Sequence, residues 1–171
     1  MKSSLLINFS VEKENKKIKV KREFAAPISK VWAAWTESQL LDQWWAPKPW
    51  EAKTKTMDFK EGGYWLYAMV GPDGTEHWAR ADFKSIIRGS SYSVRDAFCD
   101  VHGNINHTLP SPVWIVRFSE TLNSTMVSIE IEFNDPSDLE KIIEMGFKEG
   151  FTAALENLDH LLNHNREQPL I

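Results

Sequence analysis

Residues 135–164, DPSDLEKIIEMGFKEGFTAALENLDHLLNH, decide how the chain is read. Asp135 offers a carboxylate to the free amides at a helix start, and Pro136 fits the first helical position, where its missing N–H costs nothing. Asp138 and Glu140 add negative charge near the positive end of the helix dipole. Leu139, Ile142, Ile143, Phe147, Phe151, Ala154, Leu158, Leu161 and Leu162 recur at spacings of three and four, forming one apolar stripe. The pattern predicts a single helix over 135–164, roughly 40 Å long at ~1.5 Å per residue. Such a helix needs a broad apolar surface to lie on. Gly146 and Gly150 sit within the stripe, each costing about 1 kcal/mol of helix propensity relative to Ala. They leave room for a neighbour or a ligand, or they serve close backbone packing.

The middle of the chain supplies that surface as strands. LLINFSV (5–11) and KIKVKREFA (17–25) are strand-like, with a polar turn between them. Pro27 opens a short helix, PISKVWAAWTE, and Thr36 with Gln39 reads as a capping box for a second, ESQLLDQWW. Ala46-Pro47-Lys48-Pro49 ends it. AKTKTMDF, YWLYAMV, EHWARADFKSII, SYSVRDAF, VWIVRFSE and TMVSIEIEF follow as a meander, with Gly71-Pro72-Asp73-Gly74 marking a hairpin loop.

Alternation assigns the faces. Val127, Ile129, Ile131 and Phe133 point one way, and Ser128, Glu130 and Glu132 the other. Ala79, Ala81 and Phe83 oppose Arg80, Asp82 and Lys84 in the same manner. Trp114, Val116 and Phe118 are expected inward, with Tyr92, Val94 and Phe98; Met57, Phe59, Trp65, Tyr67 and Met69 join them, although both faces of YWLYAMV are apolar. The expected fold is α+β: a curved antiparallel β-sheet wrapped around a long C-terminal helix, with two short helices after the first strands.

At 171 residues the length suits one domain, 1–171, with a core over about 17–163. The net charge of −4, with both signs interspersed, speaks against nucleic acid as a partner. No apolar run approaches the ~20 residues needed to span a bilayer, so membrane insertion is not expected. The first residues, MKSSLLINFSVEKENKK, lack the features of a secretory signal. The one cysteine, Cys99, rules out an internal disulfide, and a cytoplasmic location is the simplest expectation. Eight tryptophans either fill a core or wall an apolar cavity.

Three stretches carry a family resemblance: VKREFAAPISKVWAAWTESQLLDQWWAP, DFKEGGYWLYAMVGPDG and GFKEGFTAALENLDHLL. They resemble the START-like helix-grip superfamily, also called SRPBCC and including birch-pollen-allergen-like proteins. Within it they are similar to the branch homologous to the C-terminal domain of the activator of the 90-kDa heat-shock protein ATPase. The resemblance implies a cavity between sheet and long helix, of the kind members use for lipids, sterols, polyketides and other apolar molecules. It also brings in a stress-response setting and a chaperone partner as the runner-up expectation. The eukaryotic co-chaperones carry a further N-terminal domain with no counterpart in these residues.

Ligand-contacting candidates are Trp65, Tyr67, His77, Phe98, Trp114, Met145, Phe147 and Phe151. The inward aromatic set Trp44, Trp45, Trp65, Tyr67, Trp114, Phe147 and Phe151 reads equally as a pocket wall or as an ordinary packed core. His77 has the parity of Ala79 and is a candidate polar handle or general base, or simply a surface histidine beside a turn. Asp96 shares the parity of Tyr92, Val94 and Phe98; an inward carboxylate needs a partner, so a solvated strand end is the plainer reading. Buried, it becomes the best acid/base candidate. His160 and His164 have helical ligand spacing without an evident third ligand, so no metal and no cofactor is expected. The segment 99–112 is long for a hairpin, and its HTLPSP end is a candidate lid.

The leading expectation is therefore the binding of a small apolar ligand, lipid-like or aromatic, without catalysis. A chaperone-cofactor-like interaction module is the first alternative, and a hydrolase or cyclase using the same cavity is the second. An open sheet edge permits a homodimer.

Overall fold

The alternating stretches become eight strands in a computed structural model that describes residues 5–167, with side chains as far as residue 163. They are β1 (Ile7–Glu12), β2 (Lys17–Phe24), β3 (Glu51–Met57), β4 (Tyr64–Val70), β5 (Glu76–Ile87), β6 (Ser91–Cys99), β7 (Val113–Glu120) and β8 (Thr125–Glu132). All neighbours are antiparallel, in the order β1-β2-β8-β7-β6-β5-β4-β3. After the β1–β2 hairpin the chain crosses to the far edge at β3 and returns strand by strand until β8 pairs with β2, which leaves β1 and β3 at the edges. The first and last strands of the core become neighbours, and the sheet curls around what lies on its inner face.

The period-two faces hold. Ile18, Val20 and Phe24 of β2, Trp114, Val116 and Phe118 of β7, and Val127, Ile129 and Ile131 of β8 are all buried together. Arg22 shares the parity of Val20 and Phe24, and it too is buried, 5% exposed. Its guanidinium meets Asp159 of the C-terminal helix at 3.6 Å, which keeps an otherwise costly inward charge paired. The apolar outer face of β4 also has a reason. Leu66 and Ala68 are buried because the segment after β6 folds over that side. There Arg80 donates from Nη1 to the Gly103 carbonyl at 2.9 Å and holds Asp82 through two further bonds. The segment 99–112 therefore packs its front part on the back of the sheet, with the Lys55 ammonium donating to the Val101 carbonyl. Its end runs on as sheet: the Asp96 amide donates to the Pro112 carbonyl at 2.9 Å.

Helices α1 (Ile28–Thr36) and α2 (Ser38–Trp44) follow β2. The expected Thr36–Gln39 capping box is absent. Glu37 stands at the N-cap of α2 without a side-chain bond, and the Thr36 hydroxyl donates instead to the Trp32 carbonyl at 2.8 Å. Thr36 is still inside the last turn of α1, where a hydroxyl finds the carbonyl four residues back.

The single long helix is corrected to two, α3 (Pro136–Glu144) and α4 (Phe147–Glu167). The start is as expected: the Asp135 carboxylate accepts the Asp138 amide at 2.9 Å, with Pro136 at the first position. The break comes at Met145-Gly146. Gly146 has φ +89° and turns the chain through the left-handed region that glycine enters without strain. Its amide donates to the Ile143 carbonyl and ends α3, while its own carbonyl accepts the Gly150 amide and begins α4. One residue thus closes one helix and opens the next. Beyond it α4 buries Phe151, Ala154, Leu155, Leu158 and Leu162 against the sheet.

Candidate functional site

The corner between α3 and α4 stands off from the sheet and leaves a cavity of about 410 Å³. Sheet residues form one side: Tyr67 and Met69 of β4, His77 and Ala79 of β5, Asp96 and Phe98 of β6, Trp114 of β7, and Ile131 of β8. Ile142, Met145, Gly146, Phe147, Gly150 and Phe151 form the helical side, with Trp45 and Pro47 closing a flank. Glycine at 150 brings the two together. A Cβ there would stand 3.8 Å from the Pro47 ring, so helix and loop lie close without clashing.

The walls are rings packed against one another, most of them edge to face. Trp114 meets Phe147 and Phe151 at centroid distances of 5.9 and 5.4 Å, and Phe147 stacks on Phe151 at 5.2 Å. Trp45 lies 5.9 Å from Trp114 and 6.0 Å from Phe151. It also donates its indole N–H to the Tyr67 hydroxyl at 2.9 Å. Burial pushes the Tyr67 hydroxyl up from its ordinary pKa; the nearby Asp96 charge adds to that effect, and the Trp45 bond opposes it.

Seven of the eight candidate contacts, all but Trp65, border this cavity. Trp65 is corrected to a place behind it. Its ring stacks on Tyr67 at 3.9 Å on the side of a small void of about 30 Å³, and its N–H donates to Thr54 at 2.9 Å. Thr54 in turn donates to Asp42 of α2 at 2.6 Å. That chain of bonds draws Trp65 toward α2, and Trp45 takes the position facing the cavity. Met145, at the turn, is 53% exposed and forms an edge. His77 stands exposed at the mouth and stacks on Trp50 at 5.3 Å.

Asp96 is also corrected. It is not at a solvated strand end but in mid-strand opposite Ala81, on the inner face. It borders both the cavity and the smaller void. Burial pushes its pKa up to about 7, with only the Ala97 amide holding against the rise. Among the described residues no ion pair or side-chain hydrogen bond reaches its carboxylate, and no Lys or Arg borders the cavity. His77 does not converge on it. Asp96 pairs with Ala81, four residues (81 − 77) along β5 from His77, which is about 13 Å of strand.

Trp45, which the sequence offered as pocket wall or core, borders the cavity; Met69 and Ile131 border it without having been selected from the sequence. For Met69 and Ile131 the inward parity was visible, but nothing along the strand said that the core would stop short of them. Among the described residues no cluster of His, Cys, Asp and Glu could hold a metal ion; the His164 side chain lies outside them. Among the described residues no helix is long and apolar enough to cross a membrane.

Comparison with known proteins gives a consistent placement. A solution structure of a protein from Arthrobacter aurescens is 30% identical, with a TM-score of 0.87 over 92% of this chain and 91% of that one. A crystal structure of a protein from Mycobacterium smegmatis is 25% identical, with a TM-score of 0.85 over 93% and 97%. A Staphylococcus epidermidis protein is 26% identical, with a TM-score of 0.80 over 95% and 98%. No curated protein matches the sequence. Residues 25–163 match the family described as Activator of Hsp90 ATPase homolog 1-like protein. That span runs from just after β2 into the gripped helix α4 and takes in every cavity residue named above. The chain belongs to this family and carries the START-like helix-grip fold.

Proposed function

We propose that the chain binds a small apolar molecule, of aromatic or lipid-like bulk, between the sheet and the α3–α4 corner. The observation behind this reading is the cavity of about 410 Å³ walled by Trp45, Tyr67, Trp114, Phe147 and Phe151. A core that only packed would interdigitate its rings and leave few voids larger than a water molecule. The family fold is compatible with ligand binding and with an activator-like role. Among the described residues the exposed apolar side chains Ile87, Val101, Leu122 and Met145 are scattered along the chain, while Leu6, Ile7 and Val11 lie together at the edge strand β1. The ring-walled cavity is what favours the first. A hydrolase or cyclase gains little support, because His77 stands too far from Asp96 to share a proton with it.

The test is mass spectrometry under non-denaturing conditions, joined to a thermal-shift screen of uncharged aromatic and aliphatic compounds. A ligand should raise the melting temperature in proportion to the logarithm of its concentration. Ala79→Phe, which fills the space from the sheet side, should abolish that rise. A clean mass and no shift from any apolar compound would overturn the reading.

A further inference from the structure

Among the described residues the cavity has one carboxylate, and its setting is unusual. Asp96 lies among Tyr67, Trp114 and Ala81 with no described cation against it. The other titratable groups around it are known. Tyr67 faces it from β4, His77 stands at the mouth on β5, and Cys99 follows on its own strand. The helical side contributes Ile142, Met145, Phe147 and Phe151, none of which titrates. Of the two cations next to them in sequence, Lys148 lies over Phe9 at 5.5 Å instead, and Lys141 does not border the cavity. An unpartnered carboxylate in an apolar wall is costly. Replacing it by Asn or Leu would relieve that cost if the cavity served only apolar contact.

We propose that the ligand of this cavity is a lipophilic amine, whose ammonium group pairs with the Asp96 carboxylate while its apolar body lies against Trp45, Trp114, Phe147 and Phe151. This rests on the ligand-binding reading above and narrows it. Three features of the site select this class. The ring faces of Trp and Phe attract a cation as well as apolar bulk. A fatty acid would set a second carboxylate beside Asp96 where, among the described residues, no Lys or Arg borders the space. An uncharged ligand without a donor would leave Asp96 unpartnered, and one with a hydroxyl would give it a hydrogen bond but no opposite charge.

Para-alkylbenzylamines, the matching benzyl alcohols and the matching benzoic acids, each as butyl, hexyl and octyl homologues, differ only in the headgroup. Their affinities can be read from tryptophan fluorescence and from melting temperature. At about pH 8 the amines should bind at least tenfold more tightly than the alcohols, a difference of about 1.4 kcal/mol, and the acids should show no binding. In Asp96→Asn the ratio of amine to alcohol affinity should fall to about one. In the unaltered protein, amine affinity should weaken as the pH is lowered from about 8 to about 5, because Asp96 takes up a proton while the amine keeps its own. That series decides the matter even if the variant fails to fold. Amines binding no better than alcohols at every chain length would overturn the amine assignment and leave the apolar-ligand reading standing. Binding by none of the compounds would overturn both.

Discussion

Trp45 donates its indole N–H to the hydroxyl of Tyr67 at 2.9 Å. This bond ties the end of α2 to the sheet and stands a ring between the cavity and the small void behind it. Tyr67→Phe keeps the ring stacked on Trp65 but removes the acceptor. The partly buried indole N–H is then left without a partner, which costs about 1–2 kcal/mol. Urea denaturation should show a lower midpoint with an unchanged slope.

Gly146 and Gly150 should respond in opposite directions to the same change. At Gly146 a Cβ meets nothing within 4 Å, so the cost of Gly146→Ala is backbone strain at φ +89°, about 1–2 kcal/mol. At Gly150 the backbone is helical and the added methyl only touches Pro47 at 3.8 Å. Gly150→Ala should therefore stabilise by up to about 1 kcal/mol. Thermal unfolding of the two variants, followed by circular dichroism, checks the sign of each. Equal and negative shifts would mean that Gly150 is under strain as well.

Asp96 makes stability depend on pH in an unusual sense. Its folded pKa, about 7, lies above the ordinary 3.8. The folded state therefore holds a proton that the unfolded state has released. The stability associated with this group is complete below about pH 4 and is lost as pH rises to about 7, after which the effect is constant. The total is on the order of 2–4 kcal/mol. Other carboxylates, such as Asp135 and Glu12, have lowered values and act in the opposite sense. The difference between wild type and Asp96→Asn isolates the Asp96 contribution. The advantage of the variant should grow between about pH 4 and pH 7 and level off above; a flat difference would show that Asp96 stays ionised in the fold.

Arg22 and Asp159 join β2 to α4 at 3.6 Å, with Arg22 almost wholly enclosed. Asp159→Ala strands that cation and should cost about 2–4 kcal/mol. Arg22→Met removes the charge and keeps most of the volume, so its cost should be smaller, below about 1.5 kcal/mol. The double variant should lose less than the sum of the two, which chemical denaturation can measure.

By itself the sequence determined the architecture. Alternation along TMVSIEIEF and HWARADF is a property of consecutive residues, and it put Ile129, Ile131, Ala81 and Phe83 on the buried face as found. The Asp135 cap is equally local, since acceptor and amide are three residues apart. Tertiary structure decided what happens at the centre. A glycine in an apolar stripe reads the same whether the helix continues or turns, and only the fit of α3 and α4 to a curved sheet sends Gly146 through positive φ. Trp65 and Trp45 were interchangeable as inward aromatics until Thr54 and Asp42 drew one toward α2. Asp96 had the parity of a core residue and the chemistry of a surface one. Which of them prevailed depended on β5, β7 and the helical corner closing around it. Local patterns choose faces, but the space between those faces is set by groups far apart in the chain.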